Sequence, residues 1–598
     1  MQAHQMMLRA KCAAHKFRMY CVNNINTMIV CIIYCMPSFT FVTAIIDTRS
    51  QCREETLQFK MDQMHILLNT LVGPIQIFAD RGCHEILQNK YKDYANVTII
   101  LFDYPTQSWI YRESVPYMDM LPITRNLAKD TFEHLVWTHM KIEFLQRAIE
   151  NAEGTLCWID PHICHLFHKP LSHSVNYLNY LSMQKFAKGP FIALPSCWDK
   201  QESIDFNTVC WRFCGTVIIA NSAAINNLHT LYEQFYPTLL KERGTMTWDV
   251  NMLAHLESSG IFNPIPYKAN HDASIVRIPT SLYSQNLSDL GNTIVEYAYP
   301  EVPGFFPSSA SYMDFKGTQK TLVTRYVNYK IGEGGRYTVF HPDGQLQTRN
   351  LMSTLSDDFT TIHDSRFLDE SAIGIPTYME GARYVGLEDV RTFKSGDNIG
   401  FVASSAAYTP DHSIRIVQGL ICDGKFVSGV VLQPPDGVYT PCEKNWIPIS
   451  KSDCYIYRWH PYEIICADKN GKTTTVSSKV IPNTMFEKVR GSTVPVWSDT
   501  DSCYICVVHW TNTSAEGALE YYHMLVKLDA TYDVMSWSQP FHFFNLQIQY
   551  CLGFAIDNLT KTYGFWFSEN DGNPKFMRSC SSQFFFQRIQ RTLQSHGL

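Results

Sequence analysis

Apolar residues along this chain follow two regimes that change over near residue 300. From about Phe39 to Pro279, short apolar runs ending on polar residues alternate with stretches of helical period. FVTAIID (41–47), PIQIFAD (74–80), NVTIILFDY (96–104), TLCWIDPHI (155–163), GPFIALPSCW (189–198) and WRFCGTVIIANS (211–222) read as strands. Residues 53–71, 128–152 and 223–240 read as amphipathic helices. Strands flanked by helices, with acids at strand ends, predict an open α/β sheet whose site lies outside the strands' carboxyl ends. Through 299–309, with Pro300, Pro303, Gly304 and Pro307, the character changes. Beyond it, short apolar runs such as 321–331, 399–408, 454–467, 502–510 and 563–569 are separated by Gly/Asp/Asn/Pro turns. That spacing predicts an all-β domain of sandwich or propeller type.

A chain of 598 residues is too long for one hydrophobic core. The pattern divides it into a leader (1–38), an α/β domain (39–298), a linker (299–309) and a β domain (310–598). In the leader, Lys11, Lys16 and Arg18 precede the apolar run 28–36, which resembles a signal h-region and is too short to cross a bilayer. It reaches spanning length only by annexing 41–46, so no stable membrane span is expected. A disposable leader, a weak anchor and an upstream-start artefact stay open.

The net charge of −6, without any long Lys/Arg run, argues against a nucleic-acid partner. Nineteen cysteines without regular spacing point to buried free thiols in a reducing, cytoplasmic compartment. Four N-x-S/T sequons, at Asn96, Asn286, Asn512 and Asn558, leave the secretory lumen open. Cys503 and Cys506 form a C-x-x-C inside a strand. Alternation sends their sulfurs to opposite faces, as core thiols rather than a zinc or redox pair.

Candidate chemistry in the α/β domain starts at Asp160, which ends the apolar run 155–159. An unpaired carboxylate there would be costly, so it is expected to meet a cation. The competing reading is a cap on the next turn. His162 stands where a second acid would complete Asp-x-Asp. Asp249, with Trp248, opens a helix, either as a dipole-favoured acid or as a base facing an acceptor hydroxyl. His271-Asp272 lies at a turn. Acid, acid and histidine in this order suit a nucleotide-sugar transferase, which neutralises a leaving diphosphate with Mn²⁺ or Mg²⁺ on oxygen ligands. The dense group His162, Cys164, His165 and His168 lacks the paired spacing of zinc modules.

FVTAIID, Lys141 in the long helix, CWIDPHI, ALPSCW, RFCGTVIIA, TMTWDVN and YKANHD together resemble the HtrL/YibB (WlaTC-like) family, found in bacteria, large DNA viruses and some eukaryotes. The resemblance covers roughly 39–285 and implies a GT-A-type glycosyltransferase. It places Lys141, Trp158, Asp160 and His162 at the donor, Asp160 and His271 at the metal, and Asp249 near the acceptor as catalytic base. His162 at the second acid position and Asp249, where Glu is common, depart from the pattern.

In the β domain, Glu388-Asp389 beside Arg391 suits a sugar site: an acid for a glycosidic oxygen and an arginine for an anion. Strand neighbours face opposite sides, so at most one acid is expected to act; the plainer alternative is a structural salt-bridged turn. Glu388-Asp389-Val390-Arg391, followed by Glu443-Lys444-Asn445-Trp446, resembles the five-bladed propeller of family 130 mannoside phosphorylases and their mannosyltransferase relatives. Val390 replaces their usual proline. That resemblance implies Asp389 as general acid, with Glu388, Arg391, Lys444, Arg490, His509 and His523 facing sugar or phosphate. The combined expectation is a GT-A-like domain followed by a β-propeller-like domain. The enzyme would move a sugar from a nucleotide donor to a glycan acceptor, and the propeller would act on or bind mannose-type glycans. A glycoside phosphorylase with an inert first domain and a non-catalytic glycan binder are the alternatives.

Overall fold

A computed structural model of the protein describes residues 39–588 apart from 153, 168–169, 188, 316–318, 333–334, 439, 450–452, 515–516 and 546. The expected leader and His168 lie outside the described residues. Seven strands form the first sheet: β1 (Phe39–Ile45), β2 (Ile75–Ala79), β3 (Val97–Leu101), β4 (Thr155–Ile159), β5 (Ile192–Ser196), β6 (Val217–Asn221) and β7 (Ile265–Lys268). Their order is β3-β2-β1-β4-β6-β5-β7. β1 pairs in parallel with β2 and β4, whereas β6 runs antiparallel to both β4 and β5.

Alternation along the strands sends successive side chains to two separate cores. Phe39, Phe41, Ile75, Ile77, Cys157, Ile159 and Ile219 face one, against α1 (Leu57–Leu68). Val42, Ala44, Phe78, Leu156, Trp158 and Ile218 face the other. That second face is covered by α3 (Phe132–Ala148), once α2 (Arg81–Tyr91) has linked β2 to β3. α4 (Leu171–Ser182) joins the first layer, and α5 (Ser222–Arg243) and α6 (Asp249–Ser258) the second. Side-chain caps fix where these helices start: Thr56, Asp80, Thr131 and Asn221 each accept from a first-turn N–H. Gly244, at φ +67°, ends α5 in the left-handed conformation that costs glycine nothing.

The rest is β structure in a propeller-like arrangement. Four sheets have the plain order of a four-stranded blade. One runs through Phe306–Phe315, Gln319–Val327, Leu346–Leu355 and Ile362–Phe367, with Tyr384–Val385 added at its side. The next two take the four strands of 388–432 and the four of 447–479. Another joins Gln549–Asp557, Thr562–Glu569 and Gly572–Cys580 to Thr293–Glu296, from the start of this half. Besides a two-stranded pair, Tyr329–Ile331 with Tyr337–Val339, one larger sheet is different: short strands, including Gln285–Asn286, enlarge the hairpin Cys503–Thr513/Leu519–Leu528 to eight strands. Among the described residues regular blades therefore number four, not the five expected, because extra short strands pair onto that hairpin.

Both halves share one continuous core, in which β1 and β4 side chains connect through to Ile447, Trp459 and Cys506. Asn176 Nδ2 donates to the Pro482 carbonyl at 2.9 Å, and Arg277 meets Glu487 at 2.5 Å. The C-x-x-C follows the alternation expected of it, with Cys503 in one core and Cys506 in another. The free-thiol expectation holds for eleven of the described cysteines, seven of them buried, and fails for four, which the structure pairs as Cys197–Cys214 and Cys454–Cys466. No helix among the described residues is long and apolar enough to cross a membrane.

Candidate functional site

A cleft of about 390 Å³ opens at the carboxyl ends of β1 and β4, lined by Lys141, Asp160, His162, Gly215, Asp249 and His271 among others. At its floor stands Lys141, buried on α3. Its Nζ donates to the Gly215 carbonyl at 2.8 Å and to Asp249 Oδ2 at 3.2 Å, and lies 3.5 Å from Asp160 Oδ1. Burial would lower this ammonium's pKa, but Asp160 and Asp249 outweigh it and hold the pKa above the ordinary lysine value. The lysine thus remains a fixed positive charge between two acids.

Asp160 follows β4 directly, its N–H bonded to the Thr216 carbonyl at 3.0 Å. Trp158 Nε1 donates to Asp160 Oδ1 at 2.7 Å. Because Trp158 is fully buried and stacks on Phe144, it cannot touch a donor. Its expected donor contact is replaced by a positioning role. Asp249 is the first residue of α6, as expected. Gly215 is what lets the two acids meet on one lysine: a Cβ there would lie 2.7 Å from Asp249 Oδ2 and 3.0 Å from Lys141 Nζ.

A second charged group was not legible in the sequence. Glu55 sits in a short turn just before Thr56, the cap of α1, and is buried. Lys60 (3.4 Å), Lys129 (3.2 Å), His134 (3.6 Å) and His162 (3.8 Å) surround its carboxylate. Burial alone would raise its pKa, but these neighbours hold it well below the carboxylate range. Burial also pushes His162 down to about 4 and His134 to about 3. Lys60 is lowered by burial too, whereas for Lys129 burial is outweighed by Glu55, which raises it. Glu55 reads as one more helix-start acid; its place outside β1's carboxyl end is the signal that could have found it. His162 packs against His165 at 5.1 Å, and its Nδ1 is buried without a hydrogen bond.

His271, at the turn after β7, sets its ring edge-on to Trp211 at 4.5 Å. Among the described residues, the group of three or more His, Cys, Asp or Glu placed to share a cation is Cys197, Cys214 and His271. Asp160 and His271 line one cleft, but the donor set that includes His271 is completed by the two cysteines and not by Asp160. Asp160 directs both its tryptophan and its lysine contact to Oδ1, leaving Oδ2 as the oxygen for a hard cation. One carboxylate oxygen completed by diphosphate oxygens fits Mg²⁺ or Mn²⁺.

In the β half, Glu388 and Asp389 do not face opposite sides. A bulge lies between Glu388 and Arg391, and Asp389 takes φ +54°. Both carboxylates consequently reach Arg325, at 2.8 Å from Glu388 and 3.0 Å from Asp389. Lys444 closes on Glu388 at 2.6 Å. Asp571, in the turn before Gly572–Cys580, accepts from Tyr329 at 2.8 Å, and burial raises its pKa. It lies in a sequence that reads only as a hairpin turn. Arg391 is fully buried and donates to the Ser492 carbonyl, Asn445 and Tyr550. It ties strands together and offers no anion site. His523 is fully buried against Phe541 and Phe543, which rules out its expected sugar contact. His509 is buried and bonded to Ser492, while Arg490 is exposed beside it in the ladder. The void lined by Arg325, Tyr329 and Glu388 holds only about 10 Å³.

No protein-family model and no curated protein matches the chain. Among solved structures it is similar to a β-1,2-mannobiose phosphorylase from Listeria innocua, at 11% identity and TM-score 0.32, over 49% of this chain and 98% of that one. It is also similar to a GDP-Man-dependent mannosyltransferase from Leishmania mexicana, at 12% and 0.29, over 51% and 92%. A 4-diphosphocytidyl-2C-methyl-D-erythritol synthase from Anaerococcus prevotii is matched at 10% and 0.21, over 40% and 90%.

Proposed function

We propose that the α/β half is a GT-A-type glycosyltransferase moving a sugar from a nucleoside-diphosphate donor to a glycan hydroxyl, and that the β half binds mannose-type glycan. The observation that carries this reading is Lys141 holding Asp160 and Asp249 on one fixed charge at the floor of an open cleft. Asp160, immobilised by Trp158, presents its second oxygen to the donor. A Mg²⁺ or Mn²⁺ ion bound there with the diphosphate would neutralise leaving-group charge. Lys129, at the cleft wall, adds a cation on the same side. Asp249 gives Oδ2 to Lys141, which leaves Oδ1 to take the acceptor proton. The acceptor oxygen then bonds to the anomeric carbon, and that carbon's bond to the diphosphate breaks with its electron pair on the nucleoside diphosphate.

Phosphorolysis in the β half is the weaker reading. Its acids are paired with Arg325 and Lys444, and its expected anion-binding Arg391 is buried. A panel of nucleotide sugars with Mn²⁺, followed by mannobiose with phosphate, tests the two. Nucleoside diphosphate release lost in Asp160→Ala but kept in Asp389→Ala is expected. Mannose 1-phosphate made by the Asp160→Ala protein would move the activity to the β half, and no product from any donor would leave a glycan binder.

A further inference from the structure

Three segment ends converge beside the cleft, with His271 lining it: the residue after β5, the turn before β6 and the turn after β7. They carry Cys197, Cys214 and His271, whose Sγ, Sγ and one ring nitrogen lie within 4.8 Å of one another. The structure joins the cysteines as a disulfide with Cα atoms 6.7 Å apart. That spacing is at the wide end of the roughly 4.4–6.8 Å over which disulfides form. Two thiolates sharing a tetrahedral Zn²⁺ stand about 3.8 Å apart, given Zn–S bonds of about 2.3 Å. Widely set backbones accommodate that separation without moving the strands. Cys214 is buried, Cys197 half-buried and His271 exposed, which gives a dry side and an open side. Trp211 fixes the plane of the imidazole.

We propose that, once Cys197–Cys214 is reduced, Cys197, Cys214 and His271 bind Zn²⁺, with the fourth position open to water. Two thiolates and an imidazole are soft and borderline donors, which select zinc over the hard cations that suit Asp160. With a phosphine as reductant, the disulfide gains two electrons and two protons and the phosphine takes up the oxygen of one water. Zinc binding then releases the two thiol protons. The ion would also brace the cleft floor, because Cys214 adjoins Gly215, whose carbonyl accepts from Lys141. The site is independent of the transfer reading.

Full-length protein reduced with a phosphine and titrated with Co²⁺ tests it. Tetrahedral d–d bands with a thiolate-to-cobalt band, displaced by Zn²⁺, are expected. Cys197→Ser with Cys214→Ser should abolish them, and His271→Gln should weaken binding by about 100-fold, at least what outer-sphere partners alone carry. The same bands in the double serine variant, or none in the reduced wild type, would overturn the proposal. If the serine variant does not fold, the exposed His271 decides: unchanged affinity in His271→Gln overturns the site.

Discussion

Lys141 and Asp249, 108 residues apart in the chain, meet at 3.2 Å beneath the cleft. The same ammonium lies 3.5 Å from Asp160, so one cation compensates two acids that are themselves buried. Removing one member of a buried pair leaves uncompensated charge and costs about 3–5 kcal/mol. Lys141→Met should therefore lower urea-measured stability by about that amount and abolish donor turnover. Adding Asp249→Asn should restore part of the stability and none of the turnover. A Lys141→Met protein as stable as wild type would show that the pairing does not hold the floor.

Gly215 supplies the contact space for that pairing. A methyl group there meets both Asp249 Oδ2 and Lys141 Nζ at 3.0 Å or less, and Lys141, held between two acids, cannot swing away. Gly215→Ala is expected to keep the circular dichroism of the fold while cutting transfer by an order of magnitude or more. Full activity in this variant would mean that the acid and lysine are not needed in their present register.

Asp160 and Asp249 were legible because strand-end and helix-start positions can be read from period and polarity; Lys141, inside a helix, was placed only by the family resemblance, and the three side chains converge. The change from helical period to short apolar runs was read from the same signals, but Gln285–Asn286 and Thr293–Glu296, ahead of residue 299, already pair with strands of the β half. Glu55 was hidden because its role depends on Lys60, Lys129, His134 and His162 arriving from three other segments. The Glu388-Asp389 pair misled because alternation assumes a regular strand, and the bulge with Asp389 at φ +54° breaks that assumption. His523 and Trp158 misled in another way: polar-capable side chains in apolar runs look like site residues until burial is known.

His523 has a consequence for acid stability. Burial pushes its imidazole to about 3, and neither ring nitrogen has a hydrogen-bond partner. The unfolded residue protonates near 6.5. With the folded value below the unfolded one, its stabilising contribution is full above about pH 6.5 and is lost as pH falls toward 3. His523→Phe, which suits the box of Phe541 and Phe543, should flatten the stability slope between pH 6.5 and 4 by one proton. An unchanged slope in urea titrations at several pH values would place the proton uptake on other buried histidines.

Glu370 works in the opposite sense. Burial raises its carboxyl to about 7, against the lowering effect of hydrogen bonds from Tyr408 at 3.1 Å and the Leu387 N–H at 3.4 Å. An unfolded glutamate titrates near 4.3, so the folded state holds the extra proton between about pH 4.3 and 7. That contribution is full below the lower value and is lost as pH rises through the upper one. Glu370→Gln keeps the carbonyl oxygen as acceptor for one donor, turns its amide N–H toward the Tyr408 hydroxyl, which can accept, and cannot ionise. The variant should match wild type near pH 4 and gain on it up to about pH 7, where the difference in melting temperature levels off. A constant difference across that range would mean that the Glu370 carboxyl ionises as readily folded as unfolded, and that Tyr408 and Leu387 fully offset its burial.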